Sequence, residues 1–181
     1  MAVALTKSRK LADISPQAGV RAVGIGAYNS LNRIATTATG VIDLATYFGA
    51  GTIARLEVKN TTTKFLENGI SGGDNRSTGV NGSIPCVFNV PAGGDLETTA
   101  MVEELMKGEV VLFLERNDGT IVCAGSQNGA LVTTADGDTG GTVGDLNGYT
   151  VTFNTMEPDF SRKYILTGAG LVDYAAALMA Y

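Results

Sequence analysis

The chain has 181 residues and a formal net charge of −5, which is long enough for one domain with its own core. The acidic balance argues against a protein that grips nucleic acid, because surfaces that contact phosphates concentrate lysine and arginine. There is no histidine, which excludes the ordinary catalytic triads and removes the commonest metal ligand.

Residues 1 to 19 are polar and are predicted to form an N-terminal arm. They lack the apolar stretch of a secretion signal, since Lys7, Arg9, Lys10 and Asp13 interrupt it. No stretch of the chain reaches the roughly 18 apolar residues of a transmembrane helix. We therefore expect a protein made in a cytoplasm, with no membrane as a partner.

Residues 20 to 158 are predicted to form a single β-rich domain. VRAVGIGAY at 20 to 28 and IARLEV at 53 to 58 predict strands, the second by its alternation with a period of two. VIDLATYF at 41 to 48 is compatible with a strand or a short turn of helix. IPCVFNV at 84 to 90 predicts a further strand.

Residues 66 to 83 are rich in glycine and asparagine, which predicts a long loop. Loops of more than about 12 to 15 residues inside a compact domain are often functional, so this one is a candidate for ordering against a neighbouring molecule. The alternative is a disordered excursion on the surface.

One helix is predicted at residues 96 to 107, with Asp95 as its N-cap and Gly108 just past its end. Its apolar side chains lie three or four positions apart and should cover a sheet. They are Met101, Val102, Leu105 and Met106.

Residues 109 to 155 predict a β-meander, because apolar runs alternate with turn dipeptides. In EVVLFLE one face is aliphatic and the other is mixed, as in a half-buried strand. Asp118-Gly119, Asn128-Gly129 and Asn147-Gly148 lie between the runs and tolerate positive φ, so the chain should reverse at each of them.

Few residues carry reactive chemistry. Cys86 and Cys123 lie in apolar runs and are expected as free buried thiols, although a disulfide between neighbouring strands stays open. Asp136 and Asp138 precede a glycine-rich turn, and with Asp145 they are weak candidates for a Ca²⁺ site. The bidentate glutamate of such loops is missing, so an acidic hairpin loop is the favoured interpretation. We predict no active site and no cofactor.

The segment from 95 to 157 resembles the C-terminal half of tail tube and related virion proteins of tailed bacteriophages, especially of the crAss-like group. A G-x-x-N-G return, a Thr/Gly-rich loop and G-D-x-N-G-Y-T-x-T-F recur in them. Residues 53 to 69 match more weakly. The matching motif residues here, with the preceding hairpin, are Asp118, Gly119, Gly125, Asn128, Gly129, Gly144, Asp145, Asn147, Gly148, Tyr149, Thr150, Thr152 and Phe153.

This resemblance implies an antiparallel β-sandwich or barrel-like sheet with one flanking helix. It also implies a virion protein of the tail, synthesised in the host cytoplasm, whose copies close into rings, usually sixfold, and stack into a conduit for DNA ejection. The implied partners are further copies, other tail or neck proteins, and double-stranded DNA that passes without specific binding. The net negative charge suits such a passage.

The segments expected to contact other subunits are the arm, the 66 to 83 loop and the C-terminal extension at 159 to 181. The end of that extension, LVDYAAALMAY, is apolar apart from Asp173 and would be sticky if exposed. The candidate interface residues are Ile70, Asn75, Arg76, Leu171, Val172, Tyr174, Leu178, Met179 and Tyr181.

Three other functions stay open. The first is a neighbouring virion role, such as tail completion or head-tail joining. The second is a β-domain that binds a cell-surface carbohydrate, although the chain has no tryptophan to stack on sugars. The third is a hydrolase that uses Asp136, Asp138 and Asp145.

Overall fold

The computed structural model describes residues 19–28, 52–58, 63–71, 78–89, 96–142, 145–161, 165–166 and 169–178. Within these ranges the protein is mainly β, with nine strands in one antiparallel sheet and two helices, which confirms the predicted fold class. Residues 1 to 18 of the predicted arm at 1 to 19, the segment at 41 to 48 and the Asp95 cap lie outside the described residues. The strands are β1 Val20–Ala27, β2 Ala54–Glu57, β3 Leu66–Ser71, β4 Thr78–Asn89, β5 Val110–Arg116, β6 Ile121–Ala124, β7 Ala130–Asp138, β8 Gly148–Glu157 and β9 Ile165–Leu166, and the helices are α1 Leu96–Leu105 and α2 Ala169–Ala177.

The sheet runs in the order β2-β1-β5-β7-β8-β4-β3, with β6 and β9 on a branch beside β5. One edge of β5 is shared, because β6 pairs with residues Leu112 to Glu115 and β7 pairs only through Val110 and Ala130. The sheet therefore has two portions, β2-β1-β5-β6-β9 and β7-β8-β4-β3, joined at a narrow corner. Side chains from both portions meet in one core, as in a sandwich.

The corner is the five-residue segment from Gly125 to Gly129, and it corrects the predicted meander. Strands β6 and β7 both run antiparallel to β5, so the chain does not reverse at Asn128-Gly129 but crosses from one portion to the other. Gly125 and Gly129 both adopt φ of 76°, and the Gly129 amide donates to the Gly125 carbonyl. Glycine permits this backbone, which is why the segment carries two.

Two contacts anchor the corner from opposite sides. The Tyr28 hydroxyl, beyond the end of β1, donates to the Gln127 carbonyl at 2.6 Å. The buried carboxylate of Glu157, in β8, accepts from the backbone amides of Gln127 and Asn128 at 3.2 to 3.3 Å. The corner is thus fixed to both portions of the sheet.

The other two turn dipeptides behave differently. Asp118-Gly119 forms the predicted hairpin between β5 and β6, with Gly119 at φ 83° and Asp118 accepting the Thr120 amide. Asn147-Gly148 is not a tight turn, because Gly148 already pairs with Asp138 in the ladder. The reversal instead lies between Asp138, the last residue of β7, and Gly148, the first residue of β8.

The predicted loop at 66 to 83 is wrong for the described residues, which form the strands β3 and β4. They pair in register from Leu66 opposite Ser83 to Ser71 opposite Thr78, and β4 continues along β8 as far as Asn89. The glycines do not prevent this, because the long partner β8 supplies a template of backbone hydrogen bonds. Residues 72 to 77, with Asn75 and Arg76, lie outside the described part of the chain.

Strand β5 is buried on both faces, so the prediction of a half-buried strand is wrong. Val110, Leu112 and Leu114 face the main core. Val111 and Phe113 face a second cluster, which is covered by α2. A second helix, absent from the prediction, explains why the mixed face is not in water.

Helix α1 covers the main core through Val102 and Leu105, which are buried, and Met101, which is partly buried. Met106 was predicted to share this stripe, but the helix ends at Leu105 and Met106 is exposed. The side chain of Thr99 is hydrogen-bonded to the Tyr149 hydroxyl of β8 at 2.8 Å.

The C-terminal extension predicted at 159 to 181 is built into the domain over its described residues. Strand β9 pairs with β6, and α2 lies against the outer face of β5. After α2, Leu178 forms a parallel bridge with Ile53, whose amide donates to the Ala177 carbonyl at 2.7 Å.

Replacing Gly24 of β1 with alanine is expected to lower the free energy of unfolding by about 1–3 kcal/mol, since overpacking forces neighbours to move. An added Cβ would lie 2.7 Å from the Tyr174 hydroxyl oxygen and 3.0 Å from Ile53. Urea denaturation followed by circular dichroism measures the change. Gly79→Ala is the matched control, because its Cβ would meet nothing closer than the Glu157 carbonyl oxygen at 3.6 Å. Equal midpoints for the two variants would contradict the expectation.

Candidate functional site

The acidic residues that the sequence offered as metal ligands lie in β7 and in the loop between β7 and β8. A carboxylate oxygen of Asp138 accepts the Gly140 amide at 2.9 Å. One oxygen of Asp145 accepts the amides of Gly141 and Thr142, at 3.0 and 2.7 Å, and the Thr142 hydroxyl at 2.9 Å. The hydrogen bonds from Thr142 and then Gly141 lower the pKa of Asp145. These two carboxylates therefore order the loop.

The third candidate, Asp136, is exposed on β7, opposite Thr150 of β8. Among the described residues there is no group of three or more acidic, cysteine or histidine side chains that could hold a metal ion. Asp136, Asp138 and Asp145 are thus not brought together as a ligand set.

A buried carboxylate, Glu115 at the end of β5, is the centre of the strongest polar arrangement that the structure describes. Arg55 of β2 contacts it with two nitrogens, at 2.8 and 2.9 Å. The Tyr174 hydroxyl of α2 donates to it at 2.8 Å, and the Arg21 side chain approaches to 3.4 Å. We call these four residues the Glu115 cluster.

The register of β1 explains how such long side chains meet. Ala22 lies opposite Glu115, and Gly24 lies opposite Arg55, so β1 presents only small residues between the two charges. The Arg55 side chain can then reach across β1 to Glu115, and the Tyr174 side chain can reach Glu115 from α2. Gly24 has no side chain, which permits this close approach.

Charge pairing governs the protonation states in the Glu115 cluster. Burial acts to raise the pKa of Glu115, but hydrogen bonds from Arg55 and Tyr174 outweigh it and hold the pKa below its ordinary value. The hydrogen bond to Glu115 in turn raises the pKa of Arg55. Burial, and then the contact with Glu115, raise the pKa of Tyr174. The carboxylate, guanidinium and neutral phenol are therefore stable, and none is poised to exchange a proton near neutral pH.

The prediction that Tyr174 lies at a subunit interface is wrong, because this residue is buried within the subunit. Its side chain is only 4% exposed, and its ring packs against Phe113 with centroids 5.5 Å apart. The side chain therefore packs inside the subunit, where it fixes α2 to the sheet. Leu178 is also partly buried against this second core.

Other predicted interface residues are exposed. Leu171 and Val172 of α2 are 39% and 69% exposed, and Ile70 of β3 is 48% exposed. Met179 and Tyr181, like Asn75 and Arg76, lie outside the described residues. The candidate interface is thus reduced to two described surfaces, one on α2 and one on β3.

The surface on β3 borders a shallow groove of about 380 Å³ between the β3–β4 hairpin and the segment after β8. Ile70 and Phe160 line it, and Phe160 is 47% exposed. Leu66, at the other end of β3, is 48% exposed. We call Leu66 and Ile70, on one face of β3, the β3 edge surface; Phe160 lies beside Gly69 on the opposite face. The β3 edge surface consists of apolar side chains beside a strand at the end of the sheet path.

Both cysteines are free and buried, as predicted. Burial raises the pKa of Cys86 to about 12. Burial, with Glu157 adding to it, also raises the pKa of Cys123. Because the thiolate is the reactive form, neither side chain is a candidate nucleophile.

Comparison with known families, curated proteins and solved structures gives no match. Neither helix in the described part of the chain is long and apolar enough to cross a membrane.

Glu115→Gln is expected to lower the free energy of unfolding by roughly 3 kcal/mol, because it removes one partner of a buried ion pair while it keeps the side chain's size. Glu57→Gln is the matched control. Glu57 contacts the same Arg55 at 3.3 Å, but its side chain is 83% exposed, so a change below about 1 kcal/mol is expected. Urea denaturation at pH 7 compares them, and equal effects would show that burial of the Glu115 cluster contributes nothing.

The stabilising effect of Glu115 is expected to depend on pH. Its folded-state pKa is lowered, so its contribution is present above the unfolded value of about 4.3 and is lost as the pH falls through the folded pKa. The difference in unfolding free energy between the wild type and Glu115→Gln should therefore shrink with acid. Denaturation curves at pH 7, 5 and 3.5 measure it, and a difference that widens at pH 3.5 would oppose this sign.

Proposed function

We propose that this protein is a virion structural protein, most simply the tail tube subunit of a bacteriophage, whose copies assemble into stacked rings around a passage for DNA. The resemblance of its motif residues to those of such proteins supports the proposal. In this fold the motif residues build the β5–β6 hairpin, the corner and the β7–β8 loop, which are the features that set the path of the chain. Their role here is architectural, so contacts with further copies would lie on the surface.

The β3 edge surface is the observation that carries the proposal. Strand β3 ends the sheet path and, among the described residues, pairs only with β4. Soluble monomers protect such edges with charges, prolines or bulges. Here the side chains on the outer face of β3 are Leu66, Asn68 and Ile70, none of which is charged.

The one charge of β3 lies on the opposite face from Leu66 and Ile70. Glu67 lies on the other side of the strand, and its carboxylate accepts the Ser161 amide at 2.6 Å. An uncharged edge flanked by apolar side chains suits the addition of a strand from another chain. A second copy is the simplest source, since subunits that join through unlike surfaces close into rings or extend into tubes.

The net charge of −5 fits the passage of DNA that this function requires, because like charges do not adhere. Tail completion and head-tail joining are alternatives within the same proposal. A stacked tube in electron micrographs would favour the tail tube, and a single ring would favour a joining protein. For the carbohydrate-binding and hydrolase alternatives, no contact or distance among the described residues adds support.

Leu66→Lys is expected to weaken assembly at least tenfold in concentration, because it adds a charge to the β3 edge surface. Leu131→Lys is the matched control, since Leu131 is 52% exposed, against 48% for Leu66, but lies on β7 inside the sheet path. Light scattering at rising concentration and negative-stain microscopy measure assembly. A wild-type protein that stays monomeric at every concentration would refute the proposed function.

A further inference from the structure

Four strands, β7, β8, β4 and β3, turn one face away from the main core. Their inward side chains, such as Ile84, Val151 and Phe153, pack in that core, so the side chains between them point the opposite way. None of the outward side chains belongs to either core cluster, and all of them are partly or fully exposed. We call this surface the outer sheet face. It is formed by alternate positions within 66–70, 79–87, 131–138 and 150–156, and by both Thr133 and Thr134 at the bulge of β7.

The outer sheet face carries no positive charge, because β3, β4, β7 and β8 contain no lysine or arginine. Lys64, which precedes β3, is part of the lining of a cleft beside the β5–β6 hairpin. The outward charges on the face are Asp136 and Asp138, both negative. The arginines of the described strands all lie in the other portion of the sheet and are Arg21, Arg55 and Arg116.

Neutral hydrogen-bonding side chains fill the centre of the outer sheet face. In the register of the sheet, Thr152 lies opposite Thr134 of β7, and Asn154 lies opposite Ser83 of β4. The Thr133 hydroxyl donates to the Thr152 carbonyl at 3.1 Å. Hydroxyl and amide groups both donate and accept hydrogen bonds, so they can hold water without the charge that would hold an anion.

A protein partner is the competing occupant of this face, because Leu66 and Leu131 are exposed on it. These two residues lie in one row across the sheet, but Asn154 and Ser83 separate them. The buried centre of a protein interface is normally more apolar than such a row. The composition therefore favours a surface that stays in contact with water.

The opposite side of the subunit has a different character. Helix α2 lies on the far face of β5, so the main core separates it from the outer sheet face. Leu171 and Val172 of α2 are exposed there. Arg21 contacts Glu115 on the same side, and its side chain is 53% exposed. An exposed arginine repeated in every copy would hold DNA by its phosphates. Of the two sides, the outer sheet face is the one that DNA can pass without being held.

The strand addition proposed at β3 would carry this surface from copy to copy. A strand added at the β3 edge continues the same sheet, so the outer sheet faces of neighbouring copies lie side by side. Around a ring, such a sheet turns one face to the axis and the other away from it.

We infer that the outer sheet face lines the passage, that its occupant is double-stranded DNA in transit, and that α2 lies on the outside of the tube. The inference rests on the proposed function and assigns the wall of its passage. Phosphates that move along this face meet hydroxyls, amides and the carboxylates of Asp136 and Asp138, but no cation, so no contact arrests them.

A cation placed on this wall tests the inference in the full-length protein. Tubes of Thr152→Lys assembled with short double-stranded DNA should retain at least tenfold more of it at low salt than wild-type tubes, and should lose it at high salt. The retained DNA should resist a nuclease, because the tube encloses it. Thr152→Gln is the matched neutral control and should retain no more DNA than the wild type. Negative-stain microscopy confirms that each protein has formed tubes.

The outcomes separate the inference from the proposed function. Thr152→Lys tubes that retain no more DNA than the wild type overturn the assignment of the wall and leave the tube subunit standing. DNA that is retained but digested by the nuclease places the outer sheet face on the outside and has the same effect. A wild-type protein that never assembles overturns both.

Labelling tests the same assignment without adding a charge. In tubes of Thr152→Cys, a small maleimide should modify the new thiol, whereas a maleimide carried on a folded protein is too wide for a passage fitted to one DNA duplex and should not. Both reagents should modify it in unassembled subunits. Val172→Cys is the matched control, because α2 lies on the outside and should react with both reagents in tubes. Cys86 and Cys123 are buried and should not compete.

Each other labelling pattern contradicts the inference. Modification of Thr152→Cys tubes by both reagents would place the outer sheet face on the outside of the tube. Modification by neither reagent would place it in a contact between subunits. Val172→Cys tubes that exclude only the bulky reagent would place α2, not the outer sheet face, in the passage.

Discussion

The burial of Glu115 is the constraint on which this structure depends. A carboxylate removed from water is costly unless it is paired, and here the compensation comes from Arg55 on β2 and Tyr174 on α2. The central strand, an edge strand and the C-terminal helix are thus tied by one charge. Because Tyr174 turns inward to serve that charge, Leu171 and Val172 are turned outward. The polar centre of the fold thereby decides which side of α2 faces outward.

Local patterns in the sequence predicted those elements whose signals are local. The alternation at β2, the Asp118-Gly119 hairpin and the Val102 and Leu105 stripe of α1 all rest on neighbours within a few positions. The β3–β4 hairpin was missed because its glycines and asparagines indicate a loop, whereas its order comes from pairing with β8, some seventy positions later. The corner at Gly125 to Gly129 was misjudged for a related reason. An Asn-Gly pair predicts a backbone with positive φ. It does not predict which strand the following segment will pair with.

For the candidate site, too, the local features were predicted from the sequence and the long-range contacts were not. The sequence marked the C-terminal segment as apolar and therefore adhesive, but an all-apolar helix does not reveal which face is buried, so Tyr174 and Leu171 were placed together. The Glu115 cluster was not predicted, because Arg55 and Glu115 are sixty residues apart and meet only through the register of β1. A glutamate that ends an otherwise apolar strand was the available signal, and a partner could not be assigned without the topology.

The corner at Gly125 to Gly129 has a mechanical consequence. It is held from one portion by Tyr28 and from the other by Glu157, so a displacement of either portion is passed to the other through a short stretch of backbone. Because hydrogen bonds fix both portions to the corner, we expect them to move together as one stiff body under mechanical force. In the assembly that we propose, bending would then be confined to the joints between subunits, and each subunit would keep its shape.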